Sequence, residues 1–227
     1  MLHFLRASGR RTLRSPSPGA VAVAGIIAAG LAAYANSMDG AFLFDDLPAL
    51  RDNPTIRALW PIADVLSPPE RSGVGGRPIA NLSFALNRAV GGDGAASYHV
   101  GNLLLHLTSA LLLFDLVRRT WRTAGPGPAW AVASLWVVHP LTTGAVTYLS
   151  QRTELLMAAC YLATLDAFAR SVENPRPGWR AVSVAACALG MLSKEVMVTA
   201  PVFVLLYDRT FFAGTWREAW ARRRGYY

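Results

Sequence analysis

The sequence predicts an all-α membrane protein of about six transmembrane helices with one large extracytoplasmic loop, on three observations. Hydrophobic residues make up 53% of the 227 residues and charged residues only 16%, where a soluble domain carries roughly a quarter charged. The apolar residues gather into long runs separated by short charged stretches, as spans and loops do. The net charge of +8 comes from basic residues clustered at the ends of those runs. No single amphipathic face carries them, so they fit membrane topology and argue against a nucleic-acid partner.

The first apolar run, Gly19 to Ala35, follows Arg6, Arg10, Arg11 and Arg14. A cleavable signal peptide is the rival reading, since Ala33-Tyr34-Ala35 resembles a cleavage site. The run exceeds the roughly 7–15 residues of a signal core and approaches the roughly 20 that cross a bilayer. A retained span over 18–36 is therefore expected, after a cytoplasmic segment 1–17. Residues 37–97 are polar and rich in Asp, Asn, Pro and Gly. Loops of that length are usually functional, and their Phe, Leu and Trp residues suggest short interfacial helices. Five more runs fill 98–213: Val100 to Val117, Ala129 to about Thr147 (interrupted by His139-Pro140), Leu155 to Ala169, Ala181 to Leu192, and Val196 to Phe212. The fifth run of the chain is short, so it is either thinned at its ends or forms one bent unit with the sixth. A basic tail, 214–227, closes the chain.

Charge sets the expected orientation. With six spans, one side receives Arg6, Arg10, Arg11, Arg14, Arg118, Arg119, Arg122, Arg170, Arg176, Arg180, Arg209, Arg217, Arg222, Arg223 and Arg224, against only Asp115, Asp166, Glu173, Asp208 and Glu218. The other side holds seven basic and nine acidic residues. Basic loops favour the cytoplasm, so both termini are expected there and 37–97 outside, as in a multi-pass protein of a bacterial inner membrane.

The polar residues that topology does not explain collect on the expected outer side. Asp45 and Asp46 follow the first span. His99, Asn102 and His106 open the second, and their spacing puts them on one stripe of a helix. His139 interrupts the third. Gln151, Arg152 and Glu154 precede the fourth, and Lys194 and Glu195 join the fifth to the sixth. Ionisable groups at membrane depth are costly and commonly functional. Each also has a plain structural reading. An aspartate before Pro48 can cap a helix, the His/Asn stripe can bond helices together, and Lys194-Glu195 can be an interfacial ion pair. Cys160 and Cys187 sit in apolar runs as packing residues. Taken together, two carboxylates facing fixed cations on one side suit an anionic, lipid-linked substrate with a proton acceptor beside it. Asp45 and Asp46 could also hold a divalent ion; no other residue set has convincing metal spacing.

The motifs FLFDD...NP, GRPI..LSFALN, YHVGNLLLH, VVHPL, VTYLSQRTELL and MLSKEVMVTAPVFVLLYDR occur in that order from about Ala41 to Arg224. Together they resemble the transmembrane and tetratricopeptide-repeat O-mannosyltransferases and their bacterial relatives, within the GT-C class of polyprenyl-phosphate-sugar glycosyltransferases. The resemblance implies an acidic residue of the first outer loop in the reaction, matched here by Asp45 and Asp46. It also implies an inverting displacement of polyprenyl phosphate by an acceptor hydroxyl. A carboxylate can take the hydroxyl proton, and Arg77, Arg152 and Lys194 would stabilise the leaving phosphate. Glu154 and Glu195 would orient those cations or the acceptor. His99, Asn102, His106 and His139 would line the cavity or hold the loop.

GT-C enzymes have roughly twice this number of spans, and these relatives add a repeat tail; no 34-residue repeat occurs here. The expectation is therefore a partial GT-C-like module, the N-terminal half of a transferase. It would be completed by a second polytopic membrane protein or persist as a non-catalytic remnant. A small transporter is the weaker third reading, because no internal symmetry relates two halves.

Overall fold

The computed structural model describes residues 17–227; the N-terminal arginines at 6, 10, 11 and 14 lie outside the described residues. Among the described residues the regular structure is helical. Helix α1 (Pro18–Ala33) begins on Ser17, whose hydroxyl accepts from the Ala20 N–H at 3.3 Å, with Pro18 in the first turn where no N–H is needed. A tract of short turns follows, with α2 (Ile62–Val65) and α3 (Pro78–Gly91). Then come α4 (Ala95–Thr120), α5 (Gly127–Val137), α6 (Thr143–Thr147), α7 (Arg152–Glu173), α8 (Pro177–Met191), α9 (Ala200–Asp208) and α10 (Trp216–Arg223).

All six apolar runs form helix, but their lengths differ from the expected spans. Three continuous helical stretches are long and apolar enough to cross a membrane: Ala95–Thr120, Leu149–Glu173 and Glu195–Ala213. The third run breaks at His139-Pro140 into Gly127–Val137 and Pro140–Thr147, bent by 50°, and makes a fourth span only if the pair counts as one. Helix α1 has 16 residues and α8 has 15, about 24 and 22 Å at 1.5 Å per residue, short of a hydrocarbon core of about 30 Å. Six full-length spans are therefore not reached on length. The fifth and sixth runs are separate elements, divided where Lys194 takes an extended backbone.

Helix α4 is the axis of the bundle. It packs against α1 and α5 on one side and α7 on the other, and α7 carries α8 and α9. Ile26, Leu103, Leu107, Phe114, Ala133 and Val137 fill the first core. Gly30 lets α1 approach α4 closely, since a Cβ there would stand 2.6 Å from Leu107 Cδ2. A second core of Leu50, Ile56, Val65, Val74, Phe84, Tyr98 and Leu149 joins the 37–97 tract to the start of α4 and to the turn before α7. That tract thus has its own interior. Asn53, Asn81 and Thr55 stitch it together: Asn53 Nδ2 donates to Asn81 Oδ1 at 2.8 Å, and Asn81 Nδ2 donates to the Thr55 hydroxyl and to the Val65 carbonyl.

Candidate functional site

The site lies where the 37–97 tract meets the broken backbone between α5 and α7. Pro140 has no N–H to give the Trp136 carbonyl, and the Leu141 N–H turns to His139 Nδ1 at 3.2 Å, so the Val137 carbonyl loses its next-turn donor. His106 Nε2 donates to that carbonyl at 2.9 Å, with its ring between Tyr34 and a stacked Trp136. One turn nearer the start of α4, Asn102 Nδ2 donates to the Val146 and Leu149 carbonyls at 3.2 and 3.4 Å. His99 Nε2 meets the Gly40 carbonyl at 3.3 Å. The polar stripe of α4 therefore reads irregular backbone on three levels, which a buried carbonyl requires. His139 is exposed and caps the turn after it.

Arg152 opens α7 and is only 2% exposed. Its Nε donates to Asn102 Oδ1 at 2.7 Å, its Nη2 to Asn87 Oδ1 at 2.8 Å and to the Tyr98 carbonyl at 2.9 Å, and its Nη1 to the Ser83 carbonyl at 3.3 Å. Its guanidinium lies 4.5 Å from the Phe84 ring centre. The planar fork suits these spread acceptors and the aromatic face. The donors of Arg152 are thus directed at protein acceptors. Gly101 makes the arrangement possible, because a Cβ there would overlap Asn87 Oδ1 and stand 2.6 Å from Arg152 Nη2.

The two aspartates occupy opposite environments. Asp46 is 1% exposed; its Oδ1 accepts from the Ser150 N–H at 2.7 Å and its Oδ2 from the Leu43 N–H at 3.1 Å. Asp45 is exposed, and its carboxylate makes no hydrogen bond or ion pair among the described residues. Its backbone N–H donates to the Tyr148 hydroxyl at 3.0 Å. The turn that presents it is closed by the Asp46 N–H on the Leu43 carbonyl at 2.8 Å. At its tip Phe44 has φ +42° and is 83% exposed. A left-handed Phe is a strained conformation, of about 1–3 kcal/mol, that clusters at functional sites.

Tyr148, the hydroxyl that receives the Asp45 N–H, leads to a further group of polar residues. Tyr148 lines a cleft of about 480 Å³ together with Gln151, Glu154 and His106. Glu154 is ion-paired with Lys194. Beside Lys194, Glu195 faces Arg77 at 3.5 Å, and the α3 start touches the α8 end through the Ile79 N–H on the Leu192 carbonyl at 3.4 Å. The structure thus links Glu154 to Lys194 and Glu195 to Arg77 as neighbouring ion pairs, and ties Asp45 through its backbone to Tyr148, which shares the cleft with Glu154. It sets Asp46, His99, Asn102, His106 and Arg152 beneath them as internal ties.

Two participants carried no role in the sequence reading. Tyr148 and Asn87 both sit inside quoted motifs, but only the fold shows that they meet Asp45 and Arg152. No group of three or more His, Cys, Asp or Glu residues converges among the described residues. Both oxygens of Asp46 already accept backbone N–H groups, so a divalent ion at the aspartate pair would draw mainly on Asp45.

Residues 76–227 match the family model described as dolichyl-phosphate-mannose-protein mannosyltransferase. The chain is 32% identical over 194 residues to the protein O-mannosyl-transferase Tmtc1 of Drosophila melanogaster, covering 82% of this chain and 22% of that protein. It is 30% identical over 216 residues to the fly Tmtc3, covering 81% of this chain and 23% of that one. With the human TMTC3 it shares 29% over 196 residues, covering 81% of this chain and 21% of the relative. The chain thus spans between a fifth and a quarter of the length of these relatives. No solved structure matches it.

Proposed function

Since this chain belongs to the dolichyl-phosphate-mannose-protein mannosyltransferase family, we propose that it is the N-terminal part of a membrane glycosyltransferase. It moves a sugar, mannose by the names of its relatives, from a polyprenyl-phosphate donor to a protein or glycan hydroxyl at the extracytoplasmic face. The observation that supports this most directly is the division of labour between the aspartates. Asp45 is exposed with its backbone N–H on the Tyr148 hydroxyl, and Asp46 is buried as the anchor of the same turn.

In the proposed reaction the acceptor oxygen attacks the anomeric carbon from the face opposite the phosphate, which inverts that centre. The bond from the anomeric carbon to the phosphate oxygen breaks, and polyprenyl phosphate leaves with the electron pair. The hydroxyl proton passes to the Asp45 carboxylate, a positioned base of the kind worth about 10²–10⁴-fold. Lys194 and Arg77 stabilise the departing phosphate, and Glu154 and Glu195, their observed partners, aim them. Arg152 and Asp46 hold the framework.

The test is sugar transfer from a polyprenyl-phosphate-mannose donor to a Ser/Thr peptide by the purified, reconstituted chain. Asp45→Asn should abolish it; undiminished transfer would remove the proposed base. The six-span topology with cytoplasmic termini, as in a bacterial inner membrane, is part of the same proposal. Labelling of single cysteines at 45 and 194 from opposite faces of the bilayer would refute it. A second reading is that another polytopic protein completes the site. Co-purification of such a protein, with transfer only in the pair, would support that reading.

A further inference from the structure

At the end of the bundle remote from Asp45 lies a second polar cavity, of about 400 Å³, between the α7–α8 turn and α10. Helix α7 has 22 residues, about 33 Å at 1.5 Å per residue, so the two sites stand at opposite ends of the fold. Arg176, Arg180, Arg222 and Arg223 line the cavity with Tyr226 and Ser171, and no acidic residue lines it. Two of these charges are matched: Arg223 Nη1 donates to both oxygens of the fully buried Asp208 at 2.6 and 2.7 Å, and Arg222 pairs with Glu218. Arg176 and Arg180 have no ion-pair partner among the described residues, so the cavity carries two uncompensated cations. Arg180 is held 5.3 Å over the Tyr226 ring.

One further feature has the same sign. Helix α8 starts at Pro177 in the cavity wall with no side chain capping its first turn, so the positive end of its dipole, roughly half a charge, lies there. A general preference of basic residues for one side of a membrane explains their sign but not their convergence on one cavity with a helix N-terminus.

We infer that this cavity binds a phosphate group, held by Arg176 and Arg180, with an anionic lipid headgroup or a soluble phosphate as its source. The inference is independent of the reaction proposed above. The test measures phosphatidylglycerol binding to the purified chain by native mass spectrometry, in a zwitterionic detergent-lipid background. Arg176→Gln/Arg180→Gln is compared with Arg217→Gln/Arg224→Gln, which removes equal charge from residues that do not line the cavity. Because Arg180 also stacks on Tyr226, exposed Arg176→Gln is measured alone as well. The cavity pair should weaken binding by about tenfold or more and Arg176→Gln by a smaller factor, with the control within about twofold. Equal weakening by both pairs, or by neither, overturns the site. Inorganic phosphate that competes the lipid away identifies the free anion as a ligand; lipid binding that resists it identifies the headgroup.

Discussion

Asp46 and Asn102 share one broken hydrogen bond between them. In a continuous helix the Ser150 N–H would bond the Val146 carbonyl. Here the N–H donates to Asp46 Oδ1 at 2.7 Å, and the carbonyl accepts from Asn102 Nδ2 at 3.2 Å. A residue of the 37–97 tract and a residue of α4 therefore hold the two halves of the same interruption, and Arg152 locks onto Asn102 from α7. The Asp45 turn inherits its position from this joint.

The aspartates should consequently fail in different ways. Asp46→Asn keeps one acceptor oxygen but turns an NH₂ toward one of two backbone donors, leaving that N–H unmet, and is expected to lower stability by about 1–3 kcal/mol. Asp45→Asn touches no such bond and should leave stability unchanged while abolishing sugar transfer. Thermal unfolding run beside the transfer assay separates the two. Equal destabilisation by both would contradict the geometry.

Arg152→Lys should be severe despite the retained charge. A lysine cannot reach Asn102, Asn87 and two carbonyls from one planar fork, so a buried cation and several acceptors would be left short. The expected loss is about 3 kcal/mol or more, and Arg152→Ala should lie in the same range. Denaturant unfolding of the purified protein measures it; a loss under about 1 kcal/mol would mean that the observed bonds add little.

The sequence made the helices legible because apolar runs announce themselves through composition. Their ends were less so. Arg152 reads as a residue outside a span, yet α7 begins on it, since buried acceptors replace the water that a guanidinium normally needs. The face shared by His99, Asn102 and His106 followed from helical spacing alone. What they bind did not, because the partners are backbone carbonyls of residues 40, 137, 146 and 149, which carry no side-chain signature. The break at His139-Pro140 was visible through its proline, and the short fifth run foreshadowed the short α8; the short reach of α1 was not visible, because apolar composition outran helix length.

Gly101→Ala tests the packing of the same joint. The added methyl would collide with Asn87 Oδ1 and Arg152 Nη2, an overpacking expected to cost about 1–3 kcal/mol. Asn87→Ala removes one of the colliding atoms. The double variant Gly101→Ala/Asn87→Ala should therefore lose less than the sum of the single losses. Strict additivity in unfolding measurements would argue against the contact.

His106 should matter through its bond to Val137 more than through its charge. His106→Phe preserves an aromatic ring between Tyr34 and Trp136 but gives the Val137 carbonyl no donor, which should cost about 1–3 kcal/mol. His106→Gln, whose amide nitrogen lies as many bonds from Cα as the imidazole Nε2, should recover part of that loss while sacrificing the stack. If Phe proved as stable as His, the Val137 carbonyl would have to find another donor. The bend between α5 and α6 would then rest on Pro140 alone. Unfolding midpoints of the two variants against the parent, in one detergent and at one lipid content, give the comparison.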